Sequence, residues 1–206
     1  MNSIPPLKPI DYHADLQDER LAALAQFFAS TRIEAVASHA PLSGDDGWSL
    51  GCRAFARCRN LLIQKCARRE WDWLGIVNPG KKFIFSIGHV PVRFYRGSYQ
   101  KAPARTLTES PEELRQLSLA FHSSKPDYVD LKWRFAIETD AYGEPISVIF
   151  AGLSKSDGAA VCHWSIAFDP HNQPIDLGSV RSDDMVELPP PSVGIPEQVV
   201  AGKHGA

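Results

Sequence analysis

The sequence predicts an α+β fold, a mostly antiparallel sheet of about five strands with three helices, two N-terminal and one between strands. Two observations carry this. Apolar residues recur at helical spacing in two N-terminal segments, whereas from residue 83 onward they alternate with period two between short turn signals. With 206 residues, 44% hydrophobic and 22% charged, the chain has the composition of a globular protein with one core. A disordered chain, a coiled coil and a collagen-like fibre are excluded.

Asp15 to Ser38 is the first expected helix, with Asp15 as its cap and Leu21, Leu24 and Phe28 on one face. A polar loop, 41–51, leads to a second helix from about Arg53 to about Trp73. Asn78-Pro79-Gly80-Lys81 has Pro and Gly where a type II turn prefers them. Strands follow at Phe83 to Ile87 and Val90 to Tyr95. Ser110-Pro111-Glu112-Glu113 then announces a third helix, Ser as cap and Glu closing a capping box, with Leu114, Leu117 and Phe121 as its core stripe. Leu131, Trp133, Phe135 and Ile137 alternate with Lys132, Arg134, Ala136 and Glu138, which predicts a half-buried strand. Ile146–Leu153 and Val161–Phe168 complete the sheet.

The expected organisation is an N-terminal extension (1–14), one domain (15–168) and an extended or disordered tail (169–206). The tail holds six Pro and four Gly and lacks aromatic residues. The longest apolar run, Ile146 to Leu153 interrupted by Ser147, is far short of the ~20 residues of a membrane span. No membrane association is expected. The N-terminus lacks a signal-peptide pattern and the chain lacks a glycosylation sequon, so a cytoplasmic location with free thiols is expected for Cys52, Cys58, Cys66 and Cys162. No Cys-x-x-Cys spacing occurs, and neither a metal nor a cofactor is expected.

Function is sought in the charge distribution. Residues 52–105 carry twelve Lys/Arg against Glu70 and Asp72 only, while both flanking segments are acidic. On the second helix Arg53, Arg57, Lys65 and Arg68 fall on one flank at ~100° per residue. Lys81, Lys82, Arg93, Arg96, Lys101 and Arg105 follow, with Trp71, Tyr95 and Tyr99 among them. Phosphates need cations and unstacked bases need rings, so these residues form a candidate nucleic-acid interface. An acidic protein partner would use the same bases around a flat apolar centre, without a stacking shelf. The third reading is a metal-dependent hydrolase or nuclease, with Asp130, Glu138, Asp140 and His89 at strand ends as candidate catalytic groups. The run Gly75–Lys82 approximates a phosphate-binding loop, but Lys82 replaces the Ser/Thr and a strand follows where a helix is required.

Overall fold

The computed structural model describes residues 7–120 and 131–168. Within them lie five helices, α1 (Pro9–Tyr12), α2 (Asp18–Ala37), α3 (Gly47–Ala67), α4 (Ala104–Leu107) and α5 (Pro111–Ala120). The strands are β1 (Leu74–Asn78), β2 (Ile84–Ile87), β3 (Val90–Arg96), β4 (Leu131–Thr139), β5 (Pro145–Ser154) and β6 (Ala160–Ala167). The sheet runs in simple sequence order, β1 to β6. Every neighbouring pair is antiparallel except β3 and β4, which are parallel. Two three-stranded meanders therefore meet along one parallel seam, and the chain between them crosses the sheet. Among the described residues no helix is long and apolar enough to cross a membrane.

The helices start and stop for local reasons. The helix expected from Asp15 begins at Asp18, because the Asp15 carboxylate is already bonded to the His89 amide (3.0 Å) and to Arg20 (3.2 Å). Helix α3 begins earlier than expected, inside the supposed 41–51 loop. Its cap is reciprocal: the Ser49 amide donates to Asp46 Oδ1 (2.7 Å) and the Asp46 amide to Ser49 Oγ (2.9 Å). It also ends earlier, at Ala67 rather than Trp73. Arg69 takes a left-handed φ of 54°, and the Glu70 amide bonds back to Lys65 O while that of Arg69 bonds to Cys66 O. This is a Schellman closure with arginine where glycine is usual.

One face of the sheet is covered by α2 and α3. Phe28 of α2 sits at its centre, with ring centroids 4.9 Å from Phe94 and 5.2 Å from Phe135. Trp133 stacks on Phe150 at 5.3 Å, and Val92, Ile137 and Val148 fill in around them. Tyr12 joins this core and His13 is buried, although both precede the expected domain start at residue 15. Strand β1 was not expected as a strand. Its five residues pair with β2 across a loop in which Gly80 does not adopt a positive φ; the Gly80 amide donates to Asn78 Oδ1 (2.7 Å), so an Asx-type bond replaces the type II turn.

The opposite face is covered by the crossover, residues 99–120. Tyr99, Ala102 and Leu107 pack on Ile149, Ala151 and Leu153. Helix α5 starts as expected, with Ser110 Oγ accepting the Glu113 amide (3.3 Å). The expected capping box does not close, because the Glu113 side chain turns to the sheet instead. Leu114, expected in the core stripe, is 49% exposed. The Leu117 side chain, Phe121 and the whole 169–206 segment lie outside the described residues.

Candidate binding surface

The bases of the expected nucleic-acid interface do not share one surface. Arg53, Arg57, Lys65 and Arg68 lie along one flank of α3. Arg53 is bound to Asp45 (2.7 Å) and to Ser38 O (2.7 Å). The Ala40 amide and the Arg53 guanidinium together pull the Asp45 carboxyl down to about 2, so this pair stays ionised. Lys65 is 2.7 Å from Glu70, and Arg68 is 3.7 Å from the same carboxylate. Arg57, half-buried, has no hydrogen bond or ion pair among the described residues. Lys81 and Lys82 are exposed in the loop after β1. Arg96 is exposed where β3 ends, and Lys101 and Arg105 are exposed on the crossover. The crossover and α3 cover opposite faces, so the sheet stands between Lys101 and Arg105 on one side and the α3 flank on the other.

Two expected contact residues are inside the molecule. Arg93 is 8% exposed and Tyr95 5%, both beneath the crossover. In β3 their side chains point opposite to Val92 and Phe94, and the crossover turns a face expected to be polar and open into an interior. The Tyr95 hydroxyl donates to Ser98 O (3.2 Å), and burial pushes this phenol up to about 12.

The remaining rings are also engaged. Trp71 and Trp73 stack on each other, centroids 5.1 Å apart and planes 10° apart. Lys65 Nζ caps the outer face of Trp71 at 4.8 Å, and Arg20 lies over Trp73 at 5.8 Å. Tyr99 packs on His163 at 5.1 Å. The two half-buried indoles thus stack on each other, each with a cation over its ring.

Beneath the crossover lies a charge cluster whose partners were invisible in the sequence. Arg93 and Arg134 are direct neighbours across the parallel seam. Like charges in that position repel, and Glu113 resolves the conflict from above. Its Oε2 is 3.0 Å from Arg93 and its Oε1 is 2.7 Å from Arg134. Arg134 Nε also donates to Thr106 O (2.8 Å), Lys132 Nζ to Leu107 O, and Arg93 Nη1 to Thr108 O (2.9 Å). Three cations thus grip three successive carbonyls. Lys132 and Arg134, expected on a solvent face, are buried for this reason.

Of the candidate catalytic groups, Glu138 and Asp140 lie together and His89 stands apart. Asp130 lies outside the described residues. Glu138 accepts the Ser147 hydroxyl (2.9 Å), and Asp140 Oδ1 accepts the Tyr142 and Glu144 amides (2.9 and 2.8 Å), holding the β4–β5 turn. These two carboxylates share an open groove of about 600 Å³ with Arg96, Gly97, Ser98, Thr139 and Ile146. His89 stands at the other end of the sheet, in the β2–β3 turn, its ring 3.2 Å from Asp15. There the Asp15 amide donates to His13 Nδ1 (3.0 Å), and burial pulls the His13 imidazole below its ordinary range. Burial raises the Asp15 carboxyl, but its bonds to His89 and Arg20 outweigh this and the net shift is downward. Among the described residues no three His, Cys, Asp or Glu are grouped to hold a metal ion. Burial pushes the Cys58 thiol up to about 12 and Cys162 to about 11; Cys66 is half-buried with its sulfur 3.3 Å from Leu74 O, and Cys52 is exposed.

The feature that sequence reasoning missed is the outer face of α3. Trp48 is 77% exposed, and Cys52 and Ala56 continue its row in steps of four, followed by Asn60, Gln64 and Ala67. Arg53 and Arg57 border this neutral strip on one side and Arg59 on the other. Reading Asp46-x-x-Ser49 as a helix start would have placed Trp48 on the helix. Comparisons of the chain with protein-family models, with curated proteins and with solved structures found no match.

Proposed function

We propose that the protein is a binding module that docks an acidic protein partner along the outer face of α3. The observation that carries this reading is the exposed Trp48, which heads a neutral strip edged by Arg53, Arg57 and Arg59. Protein interfaces are enriched in tryptophan and arginine, with an apolar centre and a polar rim. Nucleic-acid binding through phosphates alone is the second reading. It is favoured by the charge segregation of residues 52–105 and would use Arg57, Arg68, Lys81 and Lys82. The rings it needs for stacking, Tyr95, Trp71 and Tyr99, are buried or covered.

Fluorescence anisotropy with two probes separates the two readings: a labelled acidic amphipathic peptide, alternating Glu and Leu at helical spacing, and a labelled oligo-dT. The peptide is expected to bind the full chain more tightly than the oligonucleotide at physiological salt, with Trp48→Ala weakening peptide binding about tenfold or more, as loss of an interface anchor does. Tight oligonucleotide binding that Trp48→Ala leaves intact and Arg57→Glu abolishes would transfer the function to nucleic acid. If neither probe binds, the α3 face is not a docking surface for acidic partners.

A further inference from the structure

The two outermost strands of the sheet are unlike each other. Strand β1 is short, ends at Asn78 before Pro79 and two lysines, and lies between α3 on one face and α5 on the other. Pro, lysine and flanking helices are how natural sheets guard an edge. Strand β6 is contacted by α1 and α2 on one side but has neither proline nor lysine. Its eight residues, AVCHWSIA, contain no Lys, Arg, Asp, Glu or Pro.

The hydrogen-bond pattern fixes which groups of β6 face outward. The Phe168 amide donates to Ile146 O (3.0 Å), so Phe168 and, two residues apart, Ile166 and Trp164 point their main-chain groups at β5. Ala167, Ser165 and His163 then point theirs away from the sheet, and all three residues are exposed. The register shifts between Gly152 and Leu153 on β5, which leaves Val161 as the extra residue of a bulge and ends the regular edge there. On the helix side the same stretch presents Trp164, Ile166 and Phe168, partly buried against the core and partly open.

We propose that this edge pairs with the β6 edge of a second copy of the chain, antiparallel about a twofold axis at Ser165. The alternation leaves a register that suits both the main chain and the side chains. Ser165 meets the second Ser165, and His163 meets Ala167 on each side, giving three narrow pairs and about six main-chain bonds. In the intervening positions Trp164 of each copy lies opposite Ile166 of the other, an aromatic against a β-branched residue on one face. The strand carries no Lys, Arg, Asp or Glu, so an identical copy approaches without repulsion, and the half-open Trp164 and Ile166 complement each other. Pairing β6 with β1 would instead leave an edge free on both molecules and grow without end, whereas β6 with β6 closes as a pair.

Sedimentation equilibrium of the full chain, between about 1 and about 100 μM, is expected to show the mass rising from one chain toward two, as a micromolar contact would. Ser165→Pro removes an outward donor and no bond to β5; it is expected to stay monomeric throughout, with an unchanged circular dichroism spectrum. Ser165→Cys in a Cys52→Ser background supplies an arm that does not depend on the proline variant folding. Cα atoms of such a pair stand about 5.5 Å apart, within disulfide reach, so mild oxidation is expected to yield a cross-linked pair on a non-reducing gel. The proposal is overturned by a monomer at the highest concentration, by larger assemblies, by a dimer that a folded Ser165→Pro variant retains, or by failure of the cysteine to cross-link.

Discussion

The two faces of the sheet are both covered around the parallel seam, yet they are built from opposite chemistries. Beneath α2 and α3 the contact is aromatic and aliphatic, centred on Phe28, and its cohesion is non-directional. Beneath the crossover, beside the apolar patch on Ile149, Ala151 and Leu153, the seam is ionic: Arg93, Lys132 and Arg134 reach up to consecutive carbonyls and to Glu113. An apolar layer can be approximated by any residues of similar volume. A layer of buried cations depends on particular partners, because a charge left without one there keeps its full desolvation cost.

The contrast can be broken most forcefully at Arg134. Arg134→Met leaves Glu113 buried with half its charge partners and frees Thr106 O, and is expected to cost about 3–5 kcal/mol. Adding Glu113→Gln should recover part of that loss, a coupling that a double-mutant cycle in urea reads directly. Additivity of the two changes would show that the cluster is not a unit. On the other face Phe28→Leu, despite its position at the centre of the core, is expected to cost less, about 1.5 kcal/mol, since neighbouring rings can close in. A larger loss there than at Arg134 would reverse the comparison.

The third prediction concerns the corner where both layers are tied together. Asp15 binds the β2–β3 turn, and Gln116 of α5 donates to His89 O (3.2 Å). His13 accepts the Asp15 amide with Nδ1 and is therefore neutral in the folded chain. Its folded pKa lies below the unfolded value of about 6.5, so the unfolded chain binds the proton first. Stability from this group is fully present above pH ~6.5 and is lost as pH falls toward the folded value. Unfolding midpoints measured across pH 7 to ~5 should fall less steeply in His13→Gln than in the unaltered chain. The smallest effect has the opposite sign. Arg69→Gly relieves the left-handed residue that closes α3 and is expected to stabilise by about 0.5–1 kcal/mol, read as a raised thermal midpoint.

How far the sequence carries depends on the range of the interaction. Ser110-Pro111 and the alternation of β3 and β4 are local signals, and they gave the start of α5, the two strands and the apolar face correctly. Arg69 is a helix stop without a compositional mark, because the left-handed position is held by main-chain bonds to Lys65 and Cys66. The site reading failed where it depended on what lies above the sheet. Nothing near Arg93 or Tyr95 announces that residues 99–120 fold over them, and a strand with basic residues on one side reads as open to water until its cover is known. Trp48 is the reverse case, a ring in an expected loop that a helix holds out to solvent.

The parallel seam between β3 and β4 has a consequence for how the chain assembles. Each meander closes through short turns, and such contacts form quickly because little loop entropy opposes them. The seam alone joins strands separated by residues 97–130, so it is the costliest loop to close. Two halves that find their own hairpins first, and then wait for one long-range docking step, define where folding is slowest. Arg93 and Arg134 meet only across this seam, so their burial is expected to accompany that docking step.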